Sequence, residues 1–213
     1  MPEAADLPAA AESQPDSLLD SQPEPRRRPA PGRRREQILQ CLAGMLEDAC
    51  AERVTTAALA ARLQVSEAAL YRHFASKAQM FEALIDFIET SLFGLVAQIE
   101  TQQVSGLAQA VRMVQALLAF AERNPGLCRV LTGEALVGEH ARLRERVQRL
   151  STRLEASVRQ SLKLAQQQGD VPGGFDPAER ARWLLTYASG CLALRWRAAP
   201  RGDDAAALLA LLA

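Results

Sequence analysis

The chain has 213 residues, with 25 basic and 25 acidic side chains and a formal net charge of zero. Hydrophobic residues make up 48% and aromatics only 5%, which is enough apolar material for a core and, with Ala and Leu abundant, suits packed helices better than a β-sandwich. Two histidines (His73 and His140) exclude a histidine-rich metal site, and four scattered cysteines (Cys41, Cys50, Cys128, Cys191) without C-x-x-C spacing read as buried thiols rather than disulfides or metal ligands.

Residues 1–32 open the chain with six acids and no base up to position 25, then two arginine runs, Arg26–Arg28 and Arg33–Arg35, separated by Pro29 and Pro31. So little large apolar surface cannot offset the entropy of ordering, and a disordered tail is expected. Its charge explains the neutral total: residues 1–25 carry −6, residues 26–80 carry +5 and residues 81–213 carry +1. A positive module beside a neutral body is the pattern of a protein that faces DNA with one segment. The N-terminus lacks a basic-then-apolar leader, and the longest apolar run, 205–213, is too short to cross a bilayer, so a cytoplasmic location without membrane contact is expected.

Apolar residues at helical spacing predict a first helix over 33–49, through Ile38, Leu42 and Leu46. A short second helix, 57–63, is capped by Thr55 or Thr56; Gln64 and Val65 turn the chain; Ser66 caps a third helix, 67–73. Ser76 with Gln79 three residues on forms a capping box for a fourth helix reaching about residue 100. A fifth helix spans 105–122 and stops at Asn124-Pro125-Gly126. A short helix over 126–137 follows, then a long one over 140–168 with Leu143, Val147, Leu150, Leu154, Val158, Leu162 and Ala165 on one stripe and Gly169 at its end. Asp176-Pro177-x-Glu179 starts a helix to about residue 197, and Asp203 or Asp204 caps a last one to Ala213. No stretch alternates with period two for long enough to be a strand.

The segment from Thr55 to Phe74 holds two short helices joined by a tight turn, with small Ala60 and Ala61 between them and Leu59, Leu63, Val65, Leu70 and Phe74 to lock the angle. That leaves Glu67, Ala68, Tyr71, Arg72 and His73 on the outer side of the third helix, where a major groove would be read. Thr55 and Thr56 at one helix start, Ser66 at the next and Lys77 at a third fall where phosphates would lie, and Arg34 with its neighbours Arg33 and Arg35 is placed to track the backbone or enter the minor groove. The DNA-facing set is therefore Arg34, Thr55, Thr56, Ser66, Glu67, Ala68, Tyr71, Arg72, His73 and Lys77. On the last two helices, Trp183, Leu184, Tyr187, Cys191 and Leu194, then Leu208, Leu209 and Leu212, make apolar stripes suited to a four-helix interface in a homodimer.

The string ending Leu70-Tyr71-Arg72-His73-Phe74-x-Ser76-Lys77 resembles the DNA-binding domain of the tetracycline-repressor-like (TetR) family over about residues 33–90. Gln64 departs from the Gly usual in that family's turn. Ile85-Asp86-Phe87-Ile88-Glu89, Phe120 to Leu127, Leu131-Thr132-Gly133 and Ala135-Leu136, together with Arg34 to Gln40, are similar to the nucleoid occlusion factors of that family over about residues 33–155. The resemblance implies an all-α fold: a three-helix DNA-binding domain (33–78) with the helix-turn-helix, and a larger helical dimerisation and partner-binding domain (79–213). It implies a nucleoid-associated dimer, able to assemble further on DNA, that binds double-stranded DNA at chromosomal sites. There it would capture the C-terminal tail of the tubulin-like division protein FtsZ and antagonise division-ring assembly. Carried over residue by residue, the tail site is Phe87, Arg123 and Asn124, in a groove between the fourth and fifth helices. Leu95, Ala116 and Ala119 stand where that branch has an arginine, a leucine and a glycine.

For Phe87 the residues alone leave an ordinary core position open, as they leave Asn124-Pro125-Gly126 open as a mere helix stop. The alternative function is a ligand-responsive TetR-type repressor, which needs a closed apolar cavity lined by Trp183, Tyr187 and the region of Cys128. No G-x-S-x-G, P-loop, H-E-x-x-H or G-x-G-x-x-G is present, so no enzyme activity, catalytic residue, metal or cofactor is expected.

Overall fold

The computed structural model describes residues 32–48 and 54–195. The expected tail (but for Gly32), Cys50 and the expected last helix lie outside them. Among the described residues there are eight α-helices and no strand: α1 (Arg33–Leu46), α2 (Thr56–Arg62), α3 (Glu67–Tyr71), α4 (Lys77–Gln102), α5 (Gly106–Arg123), α6 (Pro125–Leu131), α7 (Ala141–Gln168) and α8 (Pro177–Arg195), with one 3-10 turn, Glu134–Leu136, between α6 and α7.

The start signals act as read. Thr55, Ser66, Ser76 and Ser105 each accept a hydrogen bond from the backbone N–H three residues on. The Gln79 side chain reaches back to the N–H of Ala75, one residue earlier than a capping box requires. Asp176 accepts from Ala178 and Glu179 ahead of Pro177 at the first position of α8. Gly169 ends α7 with φ 77°.

Three helices are shorter than expected. The one expected over 126–137 stops at Leu131, where Gly133 takes φ 77° and only a 3-10 turn follows. α1 stops at Leu46, where Arg129 from α6 bonds the carbonyls of Leu46 and Asp48. α3 stops at Tyr71 because His73 and Phe74 both donate to the Leu70 carbonyl, a tightened last turn that swings Phe74 into the core. The turn between α2 and α3 keeps the geometry that glycine favours without glycine. Gln64 has φ 55°, its N–H bonds the Ala61 carbonyl and that of Val65 bonds the Ala60 carbonyl. This is a full left-handed helix stop, held at a cost of ~1 kcal/mol because Gln carries a Cβ.

One continuous core runs from Ile38, Leu42, Leu59, Leu70 and Phe74 through Met80, Phe81, Ile85 and Ile88 of α4 into α5, α7 and α8. The predicted stripe of α7 is buried along its length. α5 is the central helix, packed on α4, α6, α7 and α8. Beside the core, α4 and α7 are tied by Arg142 to Glu82, Arg146 to Asp86 and Glu89, and Arg153 stacked on Phe93 at 4.0 Å. The residue numbers rise together on both helices, so the two run in the same direction. On α8 the predicted stripe divides. Leu184 is buried with Ala181, Ala188 and Leu192, half-buried Tyr187 and Cys191 pack at the edge of that core, and Trp183 (45% exposed) and Leu194 (60% exposed) face outward.

Candidate nucleic-acid interface

The site is built on α3 and the elements that hold it. Leu59 and Ala60 of α2 and Leu70 of α3 are buried, with α2 packed on both α1 and α3, and Ala69 is half-buried beside Leu70. Glu67, Ala68, Tyr71, Arg72 and His73 are all exposed, as expected for a reading helix, and Ser66 is exposed at its cap. Two further contacts fix its orientation. The Arg35 guanidinium donates to the His73 carbonyl at 2.8 Å and lies 4.0 Å over the Phe74 ring. The Thr56 hydroxyl donates to Glu67 Oε2 at 2.6 Å, joining the starts of α2 and α3.

These contacts redistribute the expected roles. Arg35 braces the end of α3 instead of reaching outward, Arg34 is half-buried with its Nη1 on Gln37, and Arg33 is exposed. Thr55 uses an oxygen lone pair for its cap, which leaves its hydroxyl proton for an acceptor such as phosphate; Thr56 has spent its proton on Glu67. Lys77 does head α4, but its ammonium sits 2.6 Å from Glu139, in the loop before α7, with the lysine 21% and the glutamate 8% exposed.

A second surface lies on α4 and α5. Phe87 is 53% exposed, which removes the core reading for it. Arg123 is exposed at the end of α5, while Leu95, Ala116 and Ala119 are half-buried. The Asn124 amide donates to the Phe120 carbonyl, so this side chain closes the last turn of α5. Trp183 faces outward, and the Cys128 thiol is buried against the Leu192 carbonyl. Two clefts, of about 410 Å³ beside Lys77 and Arg129 and about 300 Å³ between α7 and α8, are lined by neither of them nor by Tyr187.

Cys41, Cys128 and Cys191 form no disulfide; Cys128 is buried as expected, whereas Cys41 and Cys191 are only half-buried, and burial pushes the Cys41 thiol up despite nearby Arg62. No group of three His, Cys, Asp or Glu among the described residues is placed to hold a metal, and no described helix is long and apolar enough to cross a membrane.

The sequence reading missed how the DNA-facing helices are attached to the rest. Arg129, which also pairs with Glu134, places a cation at the carbonyl end of α1. Gly126, read only as part of a stop, lies directly against Ala43 of α1. A Gly two residues into a helix that starts at Pro125 was the available signal, since a close backbone approach is one of the few reasons to keep glycine there.

The comparisons with known proteins agree with this geometry. The profile of bacterial regulatory proteins, tetR family, matches residues 45–84, and that of the SlmA-like tetracycline-repressor-like C-terminal domain matches residues 105–200. The second match carries the likeness past residue 155, where it was read to fade. The nucleoid occlusion factor SlmA of Idiomarina loihiensis is 51% identical over 160 residues, 74% of this chain and 80% of that one. The SlmA of Shewanella halifaxensis is 48% identical, over 75% and 81%. Among solved structures, the TetR family transcriptional regulator PfmR of Thermus thermophilus superposes with a TM-score of 0.69 at 22% identity, over 83% of this chain and 97% of its own. At that identity it shows a shared fold.

Proposed function

The chain belongs to the SlmA family of TetR-like DNA-binding regulators, and from that premise we propose that it is a nucleoid occlusion factor that binds chromosomal sites as a dimer and, on DNA, captures the C-terminal tail of FtsZ. The observation that carries the DNA half is the outward face of α3 and the turn after it, where Glu67, Ala68, Tyr71, Arg72 and His73 are exposed and the segment is braced at both ends. A helix held so, with small Ala68 near its start, enters a major groove without obstruction. Tyr71, His73, Thr55 and Lys77 supply phosphate contacts around it, Lys77 exchanging Glu139 for a phosphate oxygen. Tyr71→Ala, His73→Ala and Lys77→Ala are each expected to weaken binding to all duplexes and to lower the salt slope by about one unit per lost contact. Fluorescence anisotropy at several salt concentrations checks this; unchanged affinity in all three would mean that α3 is not the DNA-facing helix.

The FtsZ half is supported by Phe87, a large ring left exposed on α4, with Arg123 supplying a cation on α5. An apolar anchor with a charge at its rim fits a peptide that orders on binding. Replacing an anchor aromatic costs about 2 kcal/mol or more, so Phe87→Ala is expected to weaken binding of an FtsZ tail peptide by about 30-fold while leaving DNA affinity unchanged. Titration calorimetry with the peptide decides it, and wild-type affinity in the variant would remove this surface from the account.

A further inference from the structure

Glu67 is the only acidic residue between Glu52 and Glu82, and it stands exposed in the first turn of α3, on the face that approaches DNA. Beside phosphates a carboxylate is repelled, so its place there needs a compensating interaction. Its environment is specific. Thr56, from the first position of α2, donates to Oε2 at 2.6 Å. That bond takes up one carboxylate oxygen and fixes the other as an acceptor at the start of the helix, where base edges are reached. Of the major-groove groups, those that donate are the amino groups of cytosine and adenine. Adenine sets its N7 acceptor beside the amino group and so presents a lone pair to the carboxylate. Cytosine sets a C–H there, and a carboxylate accepts from its N4.

We propose that Glu67, held by Thr56, is the specificity-determining residue of α3, its second oxygen accepting a hydrogen bond from the N4 amino group of one cytosine in each half-site. The inference rests on the reading of α3 as the DNA-facing helix. A carboxylate in a helix's first turn also offsets the helix dipole, and a residue with that role alone would alter stability and overall affinity without altering which base is chosen.

The test is selection of bound duplexes from a pool randomised over the site, using the full-length chain, Glu67→Ala and Glu67→Gln, with thermal unfolding of each. Wild type is expected to select a cytosine at one position per half-site. Glu67→Ala should lose preference there alone, by about 5- to 150-fold against the other bases, and bind arbitrary duplex more tightly. Glu67→Gln should turn the preference toward adenine, whose N6 and N7 an amide pairs with. A wild-type motif that Glu67→Ala retains overturns the inference while leaving α3 as the DNA-facing helix. A wild-type chain that selects no motif overturns both. A Glu67→Ala chain that unfolds leaves the decision to Glu67→Gln, where an unchanged cytosine preference overturns the inference.

Discussion

A chain carrying Trp183→Arg together with Leu194→Arg is expected to sediment as a monomer and to lose on the order of a hundredfold or more in affinity for a full two-fold DNA site. α8 buries one apolar face and leaves Trp183 and Leu194 exposed. Ala181, Leu184, Ala188 and Leu192 close the core against α5 and α7, with half-buried Tyr187 and Cys191 packed at its edge. Two large apolar side chains left exposed along one helix mark an association surface. In the proposed dimer a second copy related by a two-fold axis would cover these side chains and set two α3 helices about one DNA turn, ~34 Å, apart. Linking two half-site readers is worth roughly 10²–10⁴ in affinity. Two guanidinium groups on that face leave the monomer core untouched and charge the interface. Analytical ultracentrifugation and DNA titration of the same sample check the result. A variant that stays dimeric, or binds the full site as tightly as wild type does, would place the interface elsewhere.

Gly126→Ala is expected to lower stability by about 3 kcal/mol and the Tm by roughly 6–12 °C. A Cβ at position 126 would lie 2.1 Å from the Ala43 carbonyl oxygen of α1, and 3.2 Å from the Glu47 side chain. The clash is with backbone, so no rotamer change relieves it; α6 must move off α1. That movement also pulls Arg129 from the Leu46 and Asp48 carbonyls and so loosens the attachment of the helix-turn-helix to the body. Differential scanning calorimetry gives the shift. A Tm within a degree or two of wild type would show that the α1–α6 contact carries no such constraint.

The helices were legible from local signals, because caps, prolines and apolar periodicity act within a few residues. Thr55, Ser66, Ser76 and Asp176 cap as read, and the α7 stripe is buried as read. What escaped the sequence was partnership across distance. Lys77 reads as a phosphate ligand because it heads α4; nothing local shows that it meets Glu139, 62 residues on. Arg35 sits in a run of arginines that suggests a DNA-tracking arm, yet it spans 38 residues to the His73 carbonyl. Trp183 and Leu184 are neighbours in an apolar sequence, and only the position of α7 and α5 decides which of them faces the core. Gln64 shows the opposite case, in which a departure from the family pattern is absorbed: Schellman-type bonds from its own N–H and that of Val65 hold the left-handed conformation that glycine would adopt freely. For Phe87, exposure distinguishes a surface residue from a core one, and periodicity on α4 alone did not.

The measurement that bears most directly on the account is sedimentation of FtsZ polymers with this protein, with and without its DNA site. With DNA present the pelleted FtsZ should fall well below the level seen with DNA or protein alone, and Phe87→Ala should restore it. An FtsZ pellet that the protein–DNA complex leaves unchanged would contradict the proposed role, whatever the affinity for DNA.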